Sequence, residues 1–194
     1  MRRIIPALAL LVVGCAGSSQ FMQPSQTPLS LRPPADRAVV VFVRPSHFAF
    51  AINANVLDEN GRFLGDAVAG GYFAVAVPPG HHEFVVWAEN TDAIAADVVA
   101  GRTYFVEVAP TMGAFSAQMH LRAIKPGLPS WAHRDEWMRD SKGYLPDVAA
   151  GQANLDKRSG DVAERLRRGR EHLGKYADQD LREHTLGAND GVSG

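Results

Sequence analysis

The sequence contains a single cysteine, Cys15, so it cannot form an intramolecular disulfide or a cysteine-rich metal site. It also lacks common catalytic motifs: there is no Gly-x-Ser-x-Gly elbow, no His-Glu-x-x-His pair and no glycine-rich phosphate loop. No apolar run approaches the roughly twenty residues that a membrane-spanning helix needs. These absences argue against most kinds of catalysis, and we expect no enzymatic activity, no cofactor and no metal.

Excess charge of one sign is also missing, since the formal net charge is −1. The charge divides unevenly: residues 36–120 carry nine acidic and four basic side chains, whereas residues 121–194 carry thirteen basic and twelve acidic ones. An acidic globular part offers no basic surface, so we expect no nucleic-acid partner. The densest basic cluster predicts a solvated helical face, with contact to anionic lipid or an acidic partner as the alternative. It comprises Arg165, Arg167, Arg168 and Arg170.

The first residues have the pattern of a targeting segment. Arg2 and Arg3 precede an uncharged apolar run over residues 4–13, and Gly14 lies directly before Cys15. A small residue before a cysteine, with aliphatic residues behind it, resembles the lipobox of bacterial lipoproteins. We therefore expect a signal peptide over residues 1–14 and a lipid, including palmitate, on Cys15. The alternative is an ordinary secretory peptide that happens to contain a cysteine.

Lipidation of Cys15 would hold the chain to a membrane of the bacterial cell envelope, facing the periplasm. Ala16 and Gly17 lack the aspartate associated with inner-membrane retention, so we favour the outer membrane. Residues 15–37 include four prolines, which predicts a flexible tether with a coil reach of roughly 25 Å.

Residues 38–125 alternate short apolar runs with turn residues, the pattern of an all-β domain. We predict that the protein is mainly β, with an antiparallel β-sandwich of seven or eight strands. In one run, Phe50, Ile52 and Val56 are expected on the same buried face. The expected strands are residues 38–44, 50–56, 72–77, 82–87, 94–99, 103–108 and 115–122. The expected structural turn residues are Asn60, Gly61, Pro79, Gly80 and Gly101.

Residues 126–194 are expected to form a helical C-terminal extension. Gly169 and Gly174 interrupt the pattern, and each costs about 1 kcal/mol relative to alanine inside a helix. The helix therefore needs a surface to pack on, either the sandwich or an envelope protein partner. Asp161 and Glu164 have the spacing of a capping box at its start. Its apolar stripe comprises Leu155, Val162, Leu166, Leu173 and Tyr176.

Three segments carry a family resemblance. Residues 41–46 end a strand in an aromatic–x–Arg-Pro pattern, residues 72–81 lead to Pro-Pro-Gly-His, and residues 100–106 read Ala-Gly-Arg-Thr-Tyr-Phe-Val. They resemble a family of uncharacterised bacterial lipoproteins with a domain of unknown function. The resemblance implies a fold similar to prealbumin-like or PEGA-like β-sandwiches, and no activity or site residue. Val43 departs from the aromatic residue often found there.

Histidines are the main candidates for chemistry. His81 and His82 are adjacent on an expected strand and would point to opposite faces, so a turn explains them better than a metal site. His47 lies beside Arg44 and Pro45 and could line a pocket with them. The acids near turns are expected to be solvated. They are Asp58, Glu59, Asp66, Asp92 and Asp97.

The features together predict a membrane-anchored envelope lipoprotein with a non-catalytic binding or assembly role. One alternative is an envelope hydrolase whose site combines His47, His120 and distant acids. A second alternative is a lipoprotein that binds a small ligand.

Overall fold

The computed structural model describes residues 19–193 of the chain, so the expected signal peptide and Cys15 lie outside the described residues. Strands account for 39% of the described residues and helices for 23%, which confirms that the protein is mainly β. Within residues 19–193, no helix is long and apolar enough to cross a membrane.

The strands, in chain order, are β1 (Met22–Pro24), β2 (Ala38–Arg44), β3 (Asn55–Leu57), β4 (Phe63–Asp66), β5 (Gly71–Val77), β6 (Gly80–Trp87), β7 (Thr91–Val98), β8 (Arg102–Met112), β9 (Ala117–Ile124), β10 (Lys142–Pro146), β11 (Thr185–Leu186) and β12 (Val192–Ser193). The helices are α1 (Ser130–Asp140), α2 (Val148–Asp156), α3 (Ser159–Leu173) and α4 (Asp178–Glu183).

The strands form two sheets that share one apolar core. The first sheet has the order β1–β10–β5–β2–β8–β12, with β9 also paired to β8. The second has the order β11–β7–β6–β3–β4. Phe42 of β2 and Phe84 of β6 meet edge to face between the sheets, with ring centroids 5.3 Å apart.

Strand β2 is buried at every position because both of its faces are covered. Val40 and Phe42 pack into the core between the sheets. Val41 and Val43 point the other way and pack with Trp131 and Trp137 of α1. A continuous apolar run, rather than an alternating one, is what a strand buried on both faces requires.

Both sheets are mixed, so the expectation of a purely antiparallel arrangement is wrong. Strands β2 and β8 pair in parallel, as do β10 with β5 and β11 with β7. After β5 the chain forms β6 and β7 in the second sheet and then returns to the first beside β2. Because of this crossover, β8 runs parallel to β2. Strands β10 and β11, which come later in the chain, form the other two parallel pairs.

The segment expected to be an irregular tether is held against the fold from Ser19 onward. Strand β1 pairs with β10, the Leu29 amide donates to the Tyr72 hydroxyl at 3.2 Å, and the Thr103 hydroxyl donates to the Leu31 carbonyl at 2.8 Å. Leucines 29 and 31 also pack on the outer face of the first sheet. Proline limits regular structure here, but burial of the intervening leucines supplies the attachment.

The C-terminal region is not purely helical, because β10, β11 and β12 join the two sheets. Its helices α2 and α3 cover the outer face of the second sheet, where Leu155 packs with Leu57, Phe63 and Trp87. Helix α3 begins at Ser159 without a side-chain cap, so the expected capping box is wrong. Asp161 instead lies in the first turn and pairs with Arg158 at 3.1 Å.

Three of the expected turn glycines have a positive φ angle. Gly61, Gly80 and Gly101 have φ of 79°, 132° and 76°, a region in which a β-branched side chain is strained. At the first of these turns, Asp58 Oδ1 accepts the amide protons of Asn60 and Arg62, both at 2.9 Å.

Candidate functional site

A buried carboxylate, Asp92, lies at the start of β7 and is 1% exposed. Its Oδ1 accepts the Ala93 amide proton at 2.9 Å, and its Oδ2 accepts the Leu121 amide proton at 3.0 Å. His120 of β9 places Nδ1 3.2 Å from Oδ2. The prediction that Asp92 is solvated is wrong, because β9 and the C-terminal region cover this residue.

The C-terminal region supplies the remaining partners of Asp92. The Tyr176 hydroxyl donates to Oδ1, and His184 Nε2 lies 3.4 Å from Oδ2. The rings of Tyr176 and His184 stack with centroids 3.9 Å apart. Two strands and the segment from α3 to β11 therefore meet at one carboxyl group.

The two nitrogens of His184 both face oxygen acceptors. Nδ1 lies 2.8 Å from the Asp180 carbonyl oxygen, and Nε2 faces the carboxylate of Asp92. A neutral ring has only one N–H, so one nitrogen would turn a lone pair toward an oxygen. The geometry therefore favours the imidazolium form of His184.

Electrostatics at the cluster agree with this geometry. Burial by itself raises the pKa of Asp92, but the hydrogen bonds from His120, His184 and Tyr176 outweigh it and hold that pKa well below its ordinary value. Burial by itself lowers the pKa of His184, but the bond to Asp92 reverses the direction and raises it. Burial and the bond to Asp92 also raise the pKa of Tyr176.

A cleft of about 420 Å³ opens beside this cluster, within the size range of small-molecule sites. Arg122 and Lys175 lie on its lining together with Asp180 and Glu183, so both signs of charge are present. The Arg122 and Glu183 side chains are each 41% exposed and only 3.7 Å apart, a loose surface pair. Other lining residues are Asn90, Thr91, Asp92, Gln118, His120, His172, Tyr176 and His184.

The pairing of His120 with a buried carboxylate is the one catalytic feature of the cleft. A carboxylate that holds a histidine tautomer is part of the serine hydrolase triad. Among the described residues, no serine or cysteine lines this cleft, and the Thr91 hydroxyl already accepts from Arg165 at 2.9 Å. Both oxygens of Asp92 accept hydrogen bonds from backbone amides, and Oδ1 also accepts one from the Tyr176 hydroxyl.

The histidines singled out in the sequence lie apart. His47 lines another cleft, of about 370 Å³, with Glu107, Glu136 and Asp140 rather than the His120 cleft. The structure therefore does not bring together the two histidines of the hydrolase hypothesis.

His81 and His82 each have a partner of their own. His81 pairs with Asp97 at the surface at 2.8 Å, and His82 Nε2 lies 2.8 Å from the Pro78 carbonyl oxygen. Within residues 19–193, no group of three metal-ligating side chains could hold a metal ion.

The basic cluster of α3 is mostly engaged by neighbouring groups. Arg167 and Arg168 bond Glu164, and Arg170 bonds Glu83 at 3.2 Å. Arg165 lies over the Trp87 ring, 5.1 Å from its centroid.

Sequence reasoning missed two features of buried charge. The first is Arg44, 1% exposed, whose guanidinium donates to the carbonyls of Phe48, Ala49, Ile52 and Ala67 at 2.7–3.0 Å. Its Nε has no partner in the part of the chain that the structure describes. The available signal was an arginine ending a fully apolar strand before a proline.

The second missed feature is the burial of further acids besides Asp92. Asp58 and Asp66 are buried rather than solvated, because backbone amides, Ser19 and Asn55 supply hydrogen bonds in place of water. Asp97 is exposed, as expected for a residue near a turn.

No family model, no curated protein and no solved structure matches this chain.

Proposed function

We propose that the chain is a lipid-anchored protein of the bacterial cell envelope with a non-catalytic binding role. The lipobox-like residues before Cys15 support the anchor, and the outer membrane is the preferred location. In this proposal the two sheets form an open β-sandwich, and the cleft beside Asp92 is the binding site.

The observation that carries the non-catalytic role is the state of Asp92. Its two oxygens are engaged by amides and by His120, Tyr176 and His184, so the carboxylate positions the C-terminal region rather than a reacting group. His184 Nε2 lies 3.4 Å from Oδ2 and makes no hydrogen bond within the described residues, so the amides and Tyr176 hold the carboxylate in place. Buried hydrogen bonds of this kind are rigid, which suits a preformed binding site.

The charges on the cleft indicate the class of ligand. Arg122 and Lys175 suit a carboxylate of the ligand, and Asp180 and Glu183 suit an ammonium group. Because Arg122 and Glu183 are exposed and loosely paired, a ligand can replace each partner at little cost. We propose a small zwitterionic ligand, such as an amino acid or a short peptide.

Membrane anchoring is tested by replacing Cys15 with serine. The expected result is loss of cleavage before residue 15, so that the processed, lipidated form disappears from the detergent phase. Normal cleavage and continued membrane association of the Cys15→Ser protein would contradict the anchor. Density separation of the two membranes then tests the preference for the outer one.

Ligand binding is tested by calorimetry with a panel of zwitterionic amino acids and dipeptides. Lys175→Gln and Glu183→Gln should each weaken binding roughly tenfold, the effect of losing one charge-assisted hydrogen bond. Asp97→Asn, a change in an exposed acid that does not line the cleft, serves as the matched control. Equal affinities in all four proteins, or no binding by any ligand, would contradict the proposed site.

The envelope hydrolase is the second candidate, and the His120–Asp92 pair is the observation that favours it. A hydrolase and esterase screen of the wild-type protein distinguishes the two candidates, with His120→Gln as the control. Turnover that disappears in His120→Gln would support the hydrolase and reject the non-catalytic role.

We also propose that the outer side of α3, with Arg167 and Arg168 exposed, is where an envelope protein partner would contact the helix.

A further inference from the structure

The distance between the proposed lipid anchor and the folded chain is short. Ser19 is buried, its hydroxyl donates to Asp66, and its carbonyl accepts the Met22 amide proton at 3.3 Å. Only residues 16–18 separate Ser19 from Cys15. At about 3.3–3.6 Å per residue, a lipid on Cys15 would hold Ser19 within roughly 14 Å of its attachment point.

The chain enters the fold beside the loop that follows β2. Gln20 and Phe21 line a cleft of about 510 Å³ together with Ala51, Ile52 and Asn53 of this loop. The part of the molecule nearest to Cys15 is therefore the end of the first sheet at which β2 finishes.

The loop after β2 presents two aromatic side chains to solvent. Phe48 is 44% exposed and Phe50 is 57% exposed, whereas Ala49 and Ile52 between and after them pack inward on the core. The Arg44 guanidinium bonds the carbonyls of Phe48 and Ala49 at 3.0 and 2.7 Å. The outward direction of the two rings is thus held by a buried cation.

A second apolar projection leaves the same end of the sheet. Because β2 and β8 are parallel, with Val43 opposite Glu107, the β8–β9 hairpin emerges where β2 finishes. Met112 is 71% exposed and Phe115 is fully exposed on this hairpin. Phe48, Phe50, Met112 and Phe115 together define the apolar end of the molecule.

We infer that the apolar end rests on the lipid bilayer and inserts its aromatic side chains at the membrane surface. This inference depends on the proposed lipid anchor, because the short connection from Cys15 brings this end to the membrane. Aromatic and aliphatic side chains are favoured at the boundary between headgroups and acyl chains. A connection of this length keeps the end of the molecule where Ser19 joins the fold close to the membrane surface.

The four side chains of the apolar end are uncharged. Both signs of charge lie near them: Arg158 and Arg165 line the cleft of Gln20 together with Glu89, and Glu136 and Asp140 line the cleft of His47. The apolar contact does not depend on anionic lipid, so contact with zwitterionic phosphatidylcholine vesicles is expected.

The test places a tryptophan on each end of the processed, lipidated protein, which is reconstituted into phosphatidylcholine vesicles that contain brominated lipid. Phe50→Trp and Phe115→Trp report the apolar end. Val99→Trp is the matched control, since Val99 is an exposed apolar residue beside the Gly101 turn at the opposite end of the sheets. The three native tryptophans are common to all variants, so differences come from the added ring.

Bromolipid should quench the added fluorescence of Phe50→Trp and Phe115→Trp and shift their emission to the blue, with neither change for Val99→Trp. Equal quenching at both ends, or quenching of Val99→Trp alone, would overturn the inference. Absence of quenching at every position would also overturn the inference. The apolar end would then be a surface for a protein partner rather than for lipid.

A second arrangement separates this inference from the lipid anchor itself. Cys15 is the only cysteine, so its thiol can be coupled to a maleimide lipid in the same vesicles. Quenching at the apolar end of the coupled protein supports the surface even if the natural chain is never lipidated. A lipidated natural protein without such quenching rejects the surface and leaves the anchor intact.

Discussion

Two buried side chains of this protein, Arg44 and Asp92, have their charges satisfied in different ways. At the end of β2, Arg44 bonds backbone carbonyls, the farthest of which lies 23 residues away in the chain. At the start of β7, Asp92 accepts from two backbone amides and also depends on side chains, of which Tyr176 lies 84 residues away. Backbone groups exist in any sequence, whereas the side-chain donors to Asp92 must be particular residues in particular places.

Each of these two charges stabilises a different part of the fold. Arg44 shapes one loop, residues 46–54, and Ala67 beside it. Asp92 connects β7 and β9 to the region that holds Tyr176 and His184. Loss of the first charge should loosen a local segment, and loss of the second should loosen the C-terminal region.

The largest effect is expected for Arg44→Met. Four carbonyls lose a charged donor at once, so the free energy of unfolding should fall by about 3–5 kcal/mol in urea denaturation. Arg62→Met is the control, because this side chain is 71% exposed and its pair with Asp58 should contribute less than about 1 kcal/mol. If both variants lose the same free energy of unfolding, the buried guanidinium contributes no more to stability than an exposed one.

Asp92→Asn should have the next largest effect, about 2–3 kcal/mol, because it leaves the His184 imidazolium buried without its counterion. Amide exchange should rise mainly over residues 176–186, whereas Arg44→Met should raise it over residues 46–54. Asp97→Asn, on the same strand but exposed, is the control. If amide exchange rises evenly along the chain in both variants, the two charges do not stabilise different parts of the fold.

Gly169→Ala tests how closely α3 lies on the second sheet. An added Cβ would be 2.9 Å from Val85 Cγ2, and a buried valine cannot turn away, so a loss of about 1–3 kcal/mol is expected. Gly174→Ala is the control, since its Cβ would be 3.7 Å from the nearest atom. That change should cost nothing and could add up to about 1 kcal/mol. Stabilisation by both changes would mean that the helix does not pack there.

The smallest effect is the pH dependence of the thermal midpoint. The raised pKa of His184 adds stability that is complete below 6.5 and is lost as pH rises through the folded value. The lowered pKa of Asp92 adds stability that is present above 3.8 and is lost as pH falls toward the folded value. A maximum between these limits is therefore expected.

His184→Gln should remove the alkaline decline and leave the acid one. An unchanged alkaline decline in this variant would assign the titration to another group. The same experiment on Arg44→Met should leave both limits in place, since arginine stays charged over this range.

Some elements could be predicted from residue patterns alone. Strands β2, β5, β6 and β8 were expected at nearly their observed positions, because β-branched and aromatic runs end at turn residues. The prediction that Phe50 lies on a buried strand face is wrong. The strand starts only at Asn55, and Phe50 lies in the preceding loop with its ring exposed. An alternating pattern specifies two faces but does not say which face is covered.

The candidate site could not be predicted in the same way. Asp92 lies near a turn, which suits a solvated residue as well as a buried one, and His120 lies within β9, where its face is not specified by the residue pattern. Only the path of α3, α4 and β11 across the second sheet brings Tyr176 and His184 to them. That path depends on small contacts such as Gly169 against Val85, which a helical pattern treats as a defect.

Local residue preferences were therefore sufficient to predict the mainly β class and the positions of β2, β5, β6 and β8. These properties follow from short apolar runs that end at turn residues, and they do not require knowledge of distant neighbours. The parallel pairings, the burial of Arg44 and Asp92, and the end of the molecule at which Ser19 joins the fold are known only from the tertiary structure. Those properties depend on which surfaces meet, because burial and long-range hydrogen bonds arise only after the chain has crossed between the two sheets.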